Sequence, residues 1–313
     1  EVDVGGAVVT PGLVDLHSHL GVYAFPEDLR STANGNEMTS PVTPHARAVD
    51  ALDPLDPALP LVRAGGVTSC QVLPGSGNVV GGEGVFVKLR GGSVERMLVP
   101  SPPILKMACG ENPTRVYGGR QQSPMSTMGV AWVLRAALAD AQALRERQEE
   151  WCRADAPSTA TPPHDLRLDA LVELLRGRTV LNVHCYQVQD MEAIIRISKE
   201  FGFHISAFHH AQEAWRIPAA LKENNITVAT FSDLWGYKYE AYDGNVAAPR
   251  VLNEAGVDVV LKSDHPVLFS GDLVMEAAKA HHYGLPEQAA LAAVTSKPAK
   301  VMGLDDRLSK LAV

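Results

Sequence analysis

The chain has 313 residues, 46% of them hydrophobic and 20% charged, a composition that is typical of a globular protein and excludes disorder, collagen and coiled coil. The net charge is −8 and the lysines and arginines are dispersed, so no basic stripe predicts a nucleic-acid partner. No apolar run reaches the roughly 18 residues that a membrane span requires. The expected partner is a small molecule, self-association into a homo-oligomer stays open, and a cytoplasmic location is slightly favoured.

Eight short apolar runs follow one another along the chain, and several are continuously apolar, which is typical of strands buried on both faces of a parallel sheet. They are residues 7–16, 67–73, 79–89, 104–109, 179–185, 204–209, 227–231 and 257–263. Segments with helical periodicity lie between or after the later runs, at residues 127–152, 191–201, 211–223, 247–255 and 273–283. This alternation predicts one (β/α)8 barrel domain over residues 1–313.

The connections between the runs are uneven. Only the segment Gly75-Ser-Gly separates the second run from the third, so no helix is predicted there. Residues 28–57 form a long loop after the first run, and residues 154–164, rich in Pro, Ser and Thr, form an exposed loop. The loop 28–57 is predicted at the C-terminal face of the barrel, where active sites lie.

The four cysteines are Cys70, Cys109, Cys152 and Cys185. They show no CxxC spacing and are too few for a disulfide framework in a chain of this length. Three of them lie in or at the end of apolar runs. Buried free thiols are therefore predicted.

Two histidines and an aspartate indicate a metal site at the C-terminal face. His17 and His19 close the first run, and residues two apart in a strand point to the same side, so both imidazoles are predicted to face one ion. Asp264 ends the strongly apolar eighth run, where burial of a carboxylate is costly unless it meets a cation or hydrogen-bond donors. A metal ion and its water provide both.

Several segments, in order along the chain, resemble the strand motifs of the amidohydrolase superfamily of metal-dependent hydrolases. They are residues 11–19, 105–108, 181–184, 209–214, 262–266 and 285–304. The resemblance is strongest to the imidazolonepropionase-like and Xaa-Pro-dipeptidase-like branch. It implies a flanking β-sandwich of which this chain holds little, so the barrel end near Glu1 and Val313 is expected to expose apolar surface.

The resemblance also implies a ligand set. The implied metal ligands are His17, His19, Lys106, His184, His210 and Asp264. Asp264 would also take the proton from the attacking water, and Lys106 would be carboxylated and bridge two metals. Zinc is the expected ion, one or two per site, because histidine-rich sites with a carboxylate suit it.

Two ligand assignments stay open. Glu111, five residues after Lys106, is the alternative bridging carboxylate. His209 is the alternative to His210, because neighbours in a strand point to opposite faces and at most one is expected to face inward. The resemblance of the following Ala-Gln-Glu-Ala segment favours His210.

Further residues are predicted to line a substrate pocket, namely Glu111, Arg115, Tyr117, Tyr237 and His265. The predicted function is hydrolysis of an amide or cyclic amide C–N bond. One alternative is a heterocycle deaminase with a single metal, in which Glu213 would act beside a histidine. The other is a truncated barrel that binds metal without turnover.

Overall fold

The computed structural model describes residues 3–25, 33–154 and 161–308. Within these ranges, no helix has both the length and the apolar content to cross a membrane. Eight strands form one sheet in chain order. They are β1 (Leu13–Ser18), β2 (Val67–Val72), β3 (Val80–Lys88), β4 (Ile104–Ala108), β5 (Val180–Cys185), β6 (Ala207–His210), β7 (Thr227–Thr230) and β8 (Val259–Leu261).

The sheet curls into a nearly closed barrel, which confirms the predicted α/β barrel. A single backbone bridge between Ser18 and His265 joins the first strand to the segment after the last. β1 pairs with β2 in parallel, and so do the strands from β4 to β8. β3 is antiparallel to both β2 and β4. The connection 73–79 is too short for the crossover of a dozen or more residues that a parallel pair needs.

Helices surround the barrel. They are α1 (Ala58–Ala64), α2 (Val94–Met97), α3 (Glu111–Gly118), α4 (Thr127–Arg153), α5 (Asp169–Leu175), α6 (Val188–Phe201), α7 (Pro218–Glu223), α8 (Ala248–Glu254), α9 (Leu273–His282), α10 (Glu287–Ala292) and α11 (Ser296–Val301). Ser126 caps α4 by accepting a hydrogen bond from the Gly129 N–H, and α6 ends at left-handed Gly202. Buried side chains of α4 and α6 join those of β4 and β5 in one hydrophobic cluster.

Two predicted elements differ in extent. The first strand begins at Leu13, because residues 7–10 are exposed and have no strand partner. The predicted helix 211–223 is split into a single 3-10 turn and α7, because Pro218 lacks an N–H and can only open a helix. Residues 28–32 and 155–160 of the two predicted loops lie outside the described residues.

The prediction of free thiols is wrong for Cys109 and Cys185, which the structure joins in a disulfide. They directly follow or end the parallel neighbours β4 and β5, whose register pairs Ala108 with His184, so their Cα atoms are 5.3 Å apart. Cys70 is buried and free, whereas Cys152 is free but exposed. The two cysteines are 76 residues apart in sequence, and only the register of β4 and β5 brings them together, so the sequence does not predict this disulfide.

The segment before β1 has exposed apolar side chains. Val4, Val8 and Val9 are 47%, 90% and 52% exposed. Apolar side chains are therefore exposed in the described part of the segment that precedes the barrel.

Candidate metal centre and active site

A cavity of about 370 Å³ opens at the carboxyl ends of the strands. This volume lies within the range of small-molecule sites, roughly 300–1,000 Å³. Six of the predicted site residues line it, namely His17, His19, Arg115, His184, Tyr237 and Asp264. Asn36 from the loop after β1 and the hairpin residues 75–77 between β2 and β3 complete part of the wall.

Three predicted ligands converge at the floor of this cavity. His17 Nε2 lies 2.9 Å and His19 Nε2 lies 3.2 Å from Asp264 Oδ1. Backbone hydrogen bonds across the barrel closure hold them there, because the Asp264 N–H donates to His17 O (2.8 Å) and the His19 N–H donates to His265 O (2.9 Å). The pairing that closes the barrel therefore brings the two histidines and Asp264 together.

The remaining nitrogens of the two rings have partners that assign their protons. His19 Nδ1 lies 2.8 Å from Leu73 O, which only accepts, so Nδ1 carries the proton. His17 Nδ1 lies 2.9 Å from His209 Nδ1, and His209 Nε2 lies 2.8 Å from Asn182 Oδ1. Because the Asn182 oxygen accepts from His209, neutral His209 accepts at Nδ1 from His17. In the neutral form of each ring, the Nε2 atom that faces the carboxylate is therefore unprotonated.

This donor set fits a metal ion. One ligand atom each of His17, His19 and Asp264 lies within 4.8 Å of the other two, so that the neutral rings present lone pairs to an anionic oxygen, an arrangement that a cation stabilises. Nε2 of His184 and Nε2 of His210 are buried without a hydrogen-bond partner among the described residues. Burial lowers the pKa of His17, His184 and His210 well below its usual value, so the rings are neutral, the form that binds metal.

His209 and His210 both approach the site, so the expectation that at most one would do so is wrong. Their ring centroids lie 4.6 Å and 5.3 Å from that of His17. β6 ends at His210, and this residue and Ala211 have left-handed φ angles of 67° and 45°, so strand alternation stops there. His210 Nδ1 lies 3.7 Å from Asp264 Oδ2, whereas His209 lies behind His17. The geometry favours His210 as the ligand.

Lys262 is a second buried lysine at the floor. Its Nζ lies 2.7 Å from His210 Nδ1, 3.9 Å from Asp264 Oδ2 and 3.2 Å from the centre of the Phe231 ring. Burial alone would raise the pKa of Asp264, but the positive charge of Lys262 opposes it, and that pKa lies well below its usual value. Asp264 is therefore an anion.

Lys106 lies beside the predicted ligands, on β4. Its Nζ lies 3.2 Å from His17 Nε2 and 3.1 Å from Pro74 O. Burial lowers the pKa of Lys106 to about 8, so more of the amine is neutral at pH 7 than in an exposed lysine, and only a neutral amine adds to carbon dioxide. Glu111 does not line the cavity, and its Oε1 lies 3.4 Å from Lys238 Nζ.

Besides Glu111, two more residues predicted to line the substrate pocket do not line it and lie behind its walls. Tyr117 is fully buried, and its hydroxyl donates to Ser40 O (2.6 Å) and accepts from Asn78 Nδ2 (3.1 Å), which ties α3 to the loop after β1. His265 is buried, and its Nδ1 accepts from the Ser270 N–H at 3.3 Å. Burial lowers the pKa of His265 to about 4. Both side chains support the cavity from outside.

Sequence reasoning did not assign a role to Asp15, which links β1 to the segment that carries Asp264. Its Oδ1 accepts from the Ser263 N–H (3.2 Å), and its Oδ2 accepts from the hydroxyls of Ser263 (2.5 Å) and Ser270 (2.6 Å). Burial raises the pKa of Asp15 despite these donors. An aspartate inside a buried apolar strand was the available signal, because such a residue is rare unless it is paired.

Tyr186, which follows β5, was also missed. Its ring stacks on His210 with centroids 4.9 Å apart, and its hydroxyl lies 2.5 Å from the hydroxyl of Tyr237. These contacts cover one face of the His210 ring, which does not itself line the cavity. No local pattern in the sequence distinguishes this tyrosine from any other loop aromatic.

Replacing Asn182 with leucine is expected to weaken metal binding by about 10- to 100-fold, because the acceptor that orients His209 and through it His17 is lost. Asn182→Asp keeps an oxygen acceptor and is the matched control. Metal affinity is measured by competition with a chelator of known affinity. Wild-type affinity in Asn182→Leu would show that this chain of contacts does not orient the ligand.

The deaminase alternative requires Glu213 in the cavity. Glu213 instead accepts from the Val188 N–H at 3.0 Å, at the start of α6, and does not line the cavity. This geometry does not favour a deaminase.

Comparisons with known proteins agree with the barrel and its site. No family model matches the chain. The chain is 41% identical over 329 residues to the amidohydrolase tasK of Hapsidospora irregularis, an alignment that covers 99% of this chain and 33% of that protein. The chain thus spans 33% of the length of this curated relative.

Solved structures give the same family. An amidohydrolase from Thermotoga maritima MSB8 matches with a TM-score of 0.91 and 36% identity, over 100% of this chain and 82% of that chain. A prolidase complexed with N-methylphosphonate-L-proline matches with a TM-score of 0.53 and 18% identity, over 100% of this chain and 79% of that chain, which shows a shared fold. Identity above 30% over almost all of this chain and most of the Thermotoga protein shows that the chain belongs to the amidohydrolase superfamily of hydrolases.

Proposed function

We propose that this protein is a metal-dependent amidohydrolase that hydrolyses an amide or cyclic amide carbon–nitrogen bond. The observation that carries the proposal is the convergence of His17 Nε2 and His19 Nε2 on Asp264 Oδ1 at the cavity floor. The residues that would hold one or two ions, with zinc the best suited, are His17, His19, Lys106, His184, His210 and Asp264. When bound, the metal supplies a water whose pKa is lowered towards about 7 and polarises the substrate carbonyl.

Asp264 is the residue that we propose as the general base. Its Oδ1 faces His17 and His19, so Oδ2 is the oxygen left to accept a proton from the attacking water and pass it to the leaving nitrogen. The anionic state of Asp264 makes it an acceptor at neutral pH. Tyr186 and Tyr237, joined through their hydroxyls, line one side of the cavity.

Metal removal tests the proposal. Chelator-treated protein is expected to lose hydrolysis of a panel of N-acyl amino acids and Xaa-Pro dipeptides, and zinc is expected to restore it. Magnesium is the matched control, because this ion prefers oxygen ligands and does not suit an imidazole-rich site. Stoichiometric zinc without hydrolysis of any amide would contradict the proposed reaction and favour a barrel that only binds metal.

A further inference from the structure

The disulfide between Cys109 and Cys185 joins two strands that carry proposed metal ligands. Cys185 follows His184 at the end of β5, and Cys109 follows β4, the strand that carries Lys106. The last pair of the β4–β5 ladder is Ala108 with His184, and the Cys109 N–H donates to His184 O at 2.8 Å. The disulfide is therefore the next link between the two strands after the end of their ladder.

The two sulfur atoms lie behind the cavity wall. His184 lines the cavity, and neighbours in a strand point to opposite sides, so Cys185 faces the surrounding helices. Cys109 and Cys185 belong to the hydrophobic cluster that contains side chains of α4 and α6, and they are 2% and 0% exposed. Neither is among the residues that line the cavity. The disulfide can therefore influence the site only through the backbone that it joins.

Two segments of the cavity wall begin at this disulfide. After Cys109 the chain turns at Gly110, whose φ is 79°, into α3, and Asn112 of α3 lines the cavity. Cys185 is followed by Tyr186, which also lines the cavity. Because the β4–β5 ladder does not extend into these segments, the disulfide holds them together at the point where they diverge.

His184 is the proposed ligand that depends most on this link. The rings of His17 and His19 are oriented by hydrogen bonds at Nδ1, whereas the His184 ring makes no hydrogen bond with any residue that the structure describes. It contacts the rings of Tyr186 and His210, with centroids 5.1 Å and 4.4 Å away. The position of this imidazole is therefore set by the end of β5 and by the tyrosine on the other side of the bonded cysteine.

We propose that the Cys109–Cys185 disulfide is a redox switch for metal binding. The oxidised pair holds His184 in position for the ion, and the reduced pair releases it. The inference rests on the proposed function and adds a regulation of the same site. In the switching step a dithiol reductant supplies two electrons and two protons, the Sγ–Sγ bond breaks to give two thiols, and the reductant becomes a disulfide. Both sulfurs are buried, so the cluster must open for this exchange and the response is expected to be slow.

Zinc affinity in the two redox states tests the switch. The protein is treated with dithiothreitol until the free thiols rise from two to four per chain, and the reductant is removed without air. Zinc is then titrated in competition with a chelator. The reduced protein is expected to bind zinc about 10- to 100-fold more weakly, the size of effect seen when groups that orient a metal ligand are lost. Reoxidation is expected to restore the affinity of the untreated protein.

Two variants isolate the cysteine pair. The double variant Cys109→Ala with Cys185→Ala is expected to bind zinc as weakly as the reduced protein and not to respond to dithiothreitol, because alanine suits the apolar cluster but forms no disulfide. Cys152→Ala is the control variant, since Cys152 is free and exposed, and it is expected to keep the full response.

A disulfide also stabilises a fold by restricting the unfolded chain, so the melting temperature is expected to fall on reduction in any case. Equal zinc affinity of the oxidised and reduced proteins overturns the inference, even if the melting temperature falls. So do four free thiols in protein purified in air, zinc binding in neither state, or full affinity in the double variant. Failure of the oxidised, zinc-loaded protein to hydrolyse any amide contradicts the proposed function instead, whatever the zinc affinities.

Discussion

Replacing Asp264 with asparagine is expected to reduce amide hydrolysis by about 10²- to 10⁴-fold, the size of a general-base contribution. Asparagine keeps an oxygen that can face His17 and His19 but replaces Oδ2 with an amide nitrogen that cannot accept the proton of the water. The metal content, measured by inductively coupled plasma mass spectrometry, is expected to stay at the wild-type value.

Asp258→Asn is the matched control, because Asp258 immediately precedes β8, at the opposite end of the strand that leads to Asp264, and pairs with Lys297 and Lys300. It is expected to keep wild-type turnover. Unchanged turnover in Asp264→Asn would remove the base role. Loss of metal together with turnover would assign Asp264 to metal binding alone.

Replacing Lys106 with methionine is expected to lower the bound metal from two ions to one per chain and to reduce hydrolysis by at least about 100-fold. Metal stabilisation of a transition state is worth several kcal/mol, which this factor reflects. Methionine has a similar length but no amine to add to carbon dioxide, so the bridging group cannot form. Protein grown with carbon-13-labelled bicarbonate is expected to show a carbamate signal by nuclear magnetic resonance that is absent from Lys106→Met.

Glu111→Gln separates the two candidate bridges. Glu111 pairs with Lys238 and does not line the cavity, so this variant is expected to keep both metals and the carbamate signal. The opposite pattern, in which Glu111→Gln loses a metal and Lys106→Met keeps both, would make Glu111 the bridge.

The positions of the strands could be predicted from the sequence because barrel strands are buried on both faces and read as continuous apolar runs. Seven of the eight predicted runs overlap the observed strands closely, and the first is displaced because residues 7–10 have no partner. The prediction that the His17 and His19 side chains point to the same side also followed from the two-residue period of a strand alone. The local sequence pattern therefore predicted the features that depend on a single strand.

Features that depend on contacts between strands could not be predicted. The link from Asn182 through His209 to His17 joins three strands, and the sequence does not give their register. The left-handed turn at His210 is likewise set by the end of β6 and not by its residue type. Lys238 sits in a loop, where nothing in the local sequence shows that three acceptors surround its ammonium.

The reversed strand β3 has a consequence for the order of folding. β2 and β3 are joined by residues 73–79, whereas residues 19–66 separate β1 from its parallel partner β2. Closing a short loop costs less chain entropy and takes less time than closing a long one. The antiparallel meander from β2 to β4 is therefore expected to form before the parallel pairings. The contact between β1 and the segment after β8 joins residues that are farthest apart in the chain, so it is expected to form last. His17 and Asp264 meet at this contact and therefore come together only when the barrel is complete.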